Sequence, residues 1–357
     1  MPRLNPFAQG RTKLTKLWEA SLDGHVISLA WSAPLELLAA ASVDGPIALF
    51  DAKTGQVRFN LLGHGFGTSC VAWSADGQHL ASAGQDGKVR RWDPATGQQI
   101  REMAGGAAWV ERIAWCPVSL PSPSGRGVGG EGILASAAGK KLRLWNLDGT
   151  MLREYAEHPS TITDIQWQPN KAILASTAYG KLYLWSPEQE KALREFSWQG
   201  SMLALAWSPN AEYIAAGGQD CSVHFWLMKT GEDLQMSGYP VKVRELAWDA
   251  TSRYLATGGG PVPCVWDCSG KGPAGTQPIQ LDAHKDNVTC LAYQHQGAVL
   301  ASGGEDGLVA LWQPGKQDGT LALARHAAPV SQLLWSDDDR RLAVGTAEGG
   351  VLLYAIA

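Results

Sequence analysis

LASAGQDGKVRRWD, from Leu80 to Asp93, decides how the chain folds. Five mostly small residues, a tight turn at Asp86-Gly87 and an alternating segment that ends on Trp92 read as a β-hairpin with a sharp reversal. Seven further stretches share this plan: LAAASVDGPIALFD, LASAAGKKLRLWN, LASTAYGKLYLWS, IAAGGQDCSVHFWL, LATGGGPVPCVWD, LASGGEDGLVALWQ and LAVGTAEGGVLLYA. Each follows a short segment that closes on an aromatic: SLAW, CVAW, RIAW, DIQW, ALAW, ELAW, CLAY and QLLW. Those aromatics are Trp31, Trp73, Trp115, Trp167, Trp207, Trp248, Tyr293 and Trp335, spaced by 42, 42, 52, 40, 41, 45 and 42 residues.

A fixed period of this size identifies a repeat architecture and overrides a length-based division of 357 residues into domains. Turns at Thr54-Gly55, Thr96-Gly97, Asp148-Gly149 and Thr230-Gly231 follow the hairpins and lead into a fourth, more polar strand. Four short strands per copy and no helical stretch predict an all-β fold, a single closed β-propeller of eight blades with four antiparallel strands each. The eighth copy holds only three strands before Ala357, while an unmatched strand at about Leu14 to Ser21 precedes the first. That N-terminal strand is expected to complete the last blade beside Val351 to Tyr354, which removes the open sheet edges. Residues 1–13 are expected to be a flexible tail, with the propeller spanning 14–357.

At these residues the chain resembles the WD-repeat (WD40-type) β-propeller family. The family's repeat carries a His nine residues before the first aromatic, a Ser or Thr in the second strand, an Asp in the turn and a Trp in the third strand. The second copy has all four, His64, Ser82, Asp86 and Trp92, and so has the seventh, His284, Ser302, Asp306 and Trp312. The fourth keeps His158, Ser176 and Trp185 but has a shorter turn without the Asp; the eighth keeps His326 and substitutes Glu348 and Tyr354. Trp198 and Tyr239 stand at the His position of copies five and six. A buried Asp needs partners, so Ser and His are expected to donate to it and the indole N–H to close the network. A His-Ser-Asp set recurring in phase with the strands is architectural and predicts no catalytic triad.

The longest spacing comes from PVSLPSPSGRGVGGEG, residues 117–132, expected to be a flexible loop in blade three. Its glycines precede no helix and no Lys-Ser/Thr pair, so they do not form a phosphate loop. A net charge of −4 gives no basic face for nucleic acid. No apolar run reaches membrane-span length and the first residues lack a signal-peptide pattern. Six cysteines at 70, 116, 221, 264, 268 and 290 form no regular framework, which implies reduced, packed thiols in a cytoplasmic protein. Cys264 and Cys268 lack the second ligand pair of a structural zinc site. No metal and no cofactor are expected.

Of the 16 Trp, seven end first strands and six end third strands, leaving Trp18, Trp109 and Trp198. In the family that the chain resembles, positions six and four before the first-strand aromatic stand at the mouth of the central channel, where partner segments dock. Here they are mostly small, except Trp109 and Glu111 in blade three and Lys242 and Arg244 in blade six. Trp109 suits an anchor and the cationic pair suits a carboxylate or phosphate, with Gln85, Gln219 and Glu305 adding polar contacts on the same rim. The resemblance implies a non-catalytic scaffold, a monomeric propeller binding other proteins or peptide segments in a larger assembly, with neither nucleic acid nor membrane as partner. The alternative is a propeller enzyme or a propeller holding a small molecule in its channel.

Overall fold

The second strand of each copy is made of small residues because neighbouring sheets cover both of its faces. In blade two, Leu80–Gly84 is buried throughout and Lys88–Trp92 nearly so, whereas the fourth strand, Gln99–Ala104, is exposed except at Met103. The computed structural model describes residues 13–106, 108–118, 132–270, 272–273, 275–315 and 319–357. The proposed tail, apart from Lys13, and residues 119–131 of the blade-three insertion lie outside them. Among the described residues there are 32 strands and no helix.

The strands form eight four-stranded antiparallel sheets. Seven are built from consecutive strands. The eighth joins Leu14–Ser21 to Gly350–Ile356, Arg341–Thr346 and Val330–Trp335. Its register runs from Leu14 opposite Ile356 to Ser21 opposite Gly350, and Lys13 N donates to the carbonyl of Ala357 at 3.0 Å. The first strand of every blade touches the first strands of both neighbours, including those of blades eight and one, so these strands form the closed inner wall of a ring. This is an eight-bladed propeller closed by its N-terminal strand.

Among the described residues the apolar core is divided between the blade junctions. The buried apolar side chains fall into eight clusters, each drawn from two successive blades. The tryptophans that end first strands explain the aromatic content more fully than packing alone. The indole N–H of Trp73, Trp115, Trp167, Trp207, Trp248 and Trp335 donates across the junction to a first-strand carbonyl of the preceding blade, at 2.9–3.3 Å. At the seam the corresponding Trp31 N–H has no partner; the Arg341 guanidinium stacks over its ring at 4.6 Å, and Arg341 pairs with Glu36 at 3.4 Å. Trp18, unassigned by the repeat, has the matching task for the closing strand. It stacks on Phe50 of blade one and donates to the carbonyl of Ala52 at 3.0 Å.

The hairpin turns need glycine for a steric reason. Gly87 has φ +74°, and a Cβ there would meet the carbonyl oxygen of Gly106 in the neighbouring blade.

Candidate binding face

The polar tetrads fix the loops on the face that carries the hairpin turns. In blade two, Trp92 Nε1 donates to Ser82 Oγ at 2.8 Å, Ser82 Oγ lies 2.7 Å from His64 Nε2, and His64 Nδ1 lies 2.9 Å from Asp86. Blade seven repeats the chain through Trp312, Ser302, His284 and Asp306 at 2.8, 2.7 and 3.1 Å. The expectation that Ser donates directly to the carboxylate is corrected here: His stands between them. Because indole N–H only donates, Ser accepts from Trp and gives its own proton to His Nε2, which leaves Nδ1–H for Asp. Burial pushes both imidazoles below their ordinary value while the aspartates oppose it, and the histidines are held neutral. Burial alone would raise Asp86, but the His64 bond and the Arg90 charge hold its carboxyl below the usual range.

The degenerate blades differ in how much of this chain survives. In blade four, His158 and Trp185 both reach Ser176 at 2.8 Å, but buried His158 Nδ1 has no partner and burial pushes the imidazole to about 4. Blade six looked more degraded in sequence than it is. Tyr239 Oη lies 2.9 Å from Thr257 Oγ1 and accepts from Trp266 Nε1 at 2.9 Å, so a phenol does the work of the imidazole. In blade five Trp198 lies against His224, ring centres 3.5 Å apart. In blade eight the position of Ser82 is taken by Val344, and His326 Nε2 is buried without a partner.

Trp109 stands beside the blade-three turn with 55% of its surface exposed. Glu111, four residues before Trp115, is half-buried at the start of the inner strand. Lys242 and Arg244 are exposed and make no ion pair with any described residue. Gln85 donates its backbone N–H to Gly67, and Glu305 accepts from Asn287 Nδ2 at 3.4 Å, so the turns of blades two and seven are each tied to their own lead-in loop. No described contact joins the blade-three pair to the blade-six pair.

Two aromatic neighbours of Trp109 were missed. Phe66 is 89% exposed in the lead-in loop of blade two, at φ +66°, a conformation that is costly for a bulky residue. Tyr179 is 62% exposed in the turn of blade four, its backbone N–H held by Ser160 Oγ at 2.7 Å. Gly67, beside Phe66, packs between the Val43 carbonyl and the Gln85 amide, and Ala108, beside Trp109, packs between the turns at Gly87 and Gly139. Val43, Phe66, Trp109 and Tyr179 therefore follow one another over blades one to four as an apolar arc on the turn face. The signals were legible as an aromatic between glycines at 65–67 and an aromatic in a hairpin turn at 178–180.

All six cysteines are free thiols; burial pushes Cys70 and Cys264 up to about 11 and Cys268 and Cys290 up to about 12, far from a reactive thiolate. Among the described residues no three His, Cys, Asp or Glu side chains are placed to hold a metal ion, and no helix is long and apolar enough to cross a membrane. The "WD domain, G-beta repeat" family pattern matches residues 55–93, 149–186, 191–226 and 275–313, the hairpins of blades two, four, five and seven. With eight phased blades and two complete tetrads on one ring, that match decides the family. The chain is a WD-repeat β-propeller.

This WD-repeat protein is 24% identical over 136 residues to the anaphase-promoting complex subunit cdc20 of Dictyostelium discoideum, covering 37% of this chain and 26% of that protein. It is 30% identical over 101 residues to the target of rapamycin complex subunit LST8-1 of Arabidopsis thaliana, covering 28% of this chain and 32% of that protein. The matched part is thus no more than about a third of either relative. The crystal structure of the computationally designed Ika8 protein superposes over 96% of this chain and 99% of that one, with a TM-score of 0.78 and 22% identity, a likeness of fold.

Proposed function

We propose that this WD-repeat propeller is a non-catalytic platform that holds a segment of another protein on its turn face, at the mouth of the ring. The observation that carries the proposal is the half-exposed Trp109 within the arc Val43, Phe66, Trp109 and Tyr179. Exposed aromatics in sequence on one face are the kind of group that dominates interface energy. Across the ring, Lys242 and Arg244 are exposed cations that make no ion pair with any described residue, suited to an acidic group at the other end of the segment. Relatives described as subunits of complexes support a scaffold role. A reducing, cytoplasmic setting is part of the proposal, supported by the six unpaired thiols.

The test is titration with proteins captured on the intact chain. Trp109→Ala is expected to weaken binding by about 2 kcal/mol or more. Lys242→Glu with Arg244→Glu is expected to slow association and flatten its salt dependence. Lys171→Ala with Gln296→Ala, in loops between first and second strands on the opposite face, is expected to bind as the parent does. Loss of binding in that control with normal binding by the rim variants places the interface on the other face.

A further inference from the structure

Beyond the turn-face site, blade eight has Leu352 at the third-strand position where blades two and three each place an arginine. In blade two, Arg90 projects from the third strand opposite Glu102 of the fourth. Its guanidinium lies 3.1 Å from Glu102 and 2.9 Å from Asp86, beside His64, and it donates to the carbonyl of Gly63. Lys88 makes a second bond to Glu102 at 2.5 Å. Blade three repeats this with Arg143 opposite Glu154 at 2.6 Å and Lys141 at 3.4 Å.

In blade eight the third-strand position opposite the acid is Leu352, paired in register with Glu19. Part of the surroundings is kept, although Val344 stands at the position of Ser82 and Gly350 at that of Lys88. Glu19 stands where Glu102 stands and is bound at 2.6 Å by Lys16 of its own strand, whereas Glu102 is bound by Lys88 of the third strand. Glu348 occupies the turn position of Asp86, and His326 the position of His64. Where Arg90 would lie there is a cavity of about 520 Å³, walled by Lys16, Glu19, His326, Glu348, Leu352 and Tyr354 among others, and the Nε2 of that His326 is buried without a hydrogen-bond partner. Arg325 also borders it but makes no ion pair with any described residue.

We propose that this cavity, at the junction of the chain's two ends, is a socket for an arginine side chain presented by a partner protein. A guanidinium entering it would bridge Glu19 and Glu348 as Arg90 bridges Glu102 and Asp86, with its methylenes on Leu352. The planar, forked donor set suits two carboxylates on different strands better than the point charge of lysine does. The two rim cations, Lys16 and Arg325, set the limit on affinity and make the interaction salt-sensitive.

The experiment follows the His326 imidazole resonance of the intact chain, assigned with His326→Gln, during titration with the capped tripeptide Ac-Gly-Arg-Gly-NH2. The expected result is a saturable shift that the citrulline tripeptide, equal in shape but uncharged, does not produce. Glu19→Gln with Glu348→Gln, two exposed changes that leave the core intact, is expected to weaken binding at least tenfold. Leu352→Arg is expected to remove it by filling the socket from within. Equal shifts from the arginine and citrulline peptides overturn the proposal, as does undiminished binding by the double glutamine variant. A crystal structure in which Arg325 of the same chain already bridges Glu19 and Glu348 also overturns it.

Discussion

Blades two and eight hold the same histidine nine residues before Trp73 and Trp335, and they surround it differently. His64 is bonded at both ring nitrogens, in a sheet made of one continuous segment. His326 has a buried Nε2 without a partner, in a sheet assembled from residues more than three hundred positions apart. Both sheets nevertheless have four strands, an apolar junction with each neighbour and an indole reaching back to the blade before. Strand register and junction packing therefore build the ring, and the tetrad is a reinforcement that a blade can lack.

The hardest way to break the comparison is to remove what only blade eight requires. Deleting residues 1–21 takes away the strand paired with Gly350–Ile356, together with the Trp18 contact on Phe50 and Ala52. Trp18→Ala alone is expected to cost about 3–5 kcal/mol, as for a large buried aromatic, and the deletion more. Denaturant midpoints measure both. A deletion variant as stable as the parent would mean that the closing strand does not hold the ring.

Acid sharpens the contrast between a histidine with its aspartate and one without. Burial puts the His158 imidazole at about 4 in the folded chain against 6.5 unfolded. Above pH 6.5 neither state binds the proton. Between 6.5 and about 4 only the unfolded state does, so stability falls as pH falls, by about 1.4 kcal/mol per pH unit and about 3 kcal/mol in all. His158→Gln is expected to flatten the stability curve over that window by about one proton's slope. An unchanged slope would show that His158 titrates alike in both states.

The turn acids come next. Asp86 satisfies His64 and the backbone N–H of Lys88, so Asp86→Ala is expected to destabilise by about 1–3 kcal/mol. Glu348, exposed at the same turn of blade eight, bonds to neither, and Glu348→Ala is expected to stay within about half a kcal/mol. Equal melting temperatures for the two variants contradict the tetrad as drawn.

What was legible in the sequence follows the same division. The strands, the count of eight and the closing strand at Leu14–Ser21 repeat in the linear pattern and could be read from it. The order of the hydrogen-bonded chain could not, since a His-Ser-Asp-Trp set is compatible with more than one wiring until distances are known. Tyr239 was read as a loss because residue identity hides that its hydroxyl reaches Thr257 and Trp266 together. The arc was half visible: Trp109 stood out by counting tryptophans, while Phe66 and Tyr179 fell at positions where the repeat assigns no aromatic. Their exposure depends on how neighbouring turns pack, a property of the ring and not of one blade.

The smallest effect is the most discriminating. Ser82 sits between Val71 and Arg90 in its sheet, and Val344 sits between Leu333 and Leu352 in the same place in blade eight. Ser82→Val would leave Trp92 Nε1 and His64 Nε2 both buried without partners, a loss of about 2–4 kcal/mol at the usual cost of orphaned polar groups. Val344→Ser runs the other way. It gives up the burial of two methyl groups, about 1.5 kcal/mol, and supplies His326 Nε2 with a hydroxyl, a gain of about 1 kcal/mol. The two nearly cancel, so Val344→Ser is expected within about 1 kcal/mol of the parent, with the His326 imidazole resonance shifted by its new bond. A loss as large as that of Ser82→Val, with no shift at His326, would mean that blade eight is packed around an apolar centre of its own and that its histidine is not a tetrad member awaiting a serine.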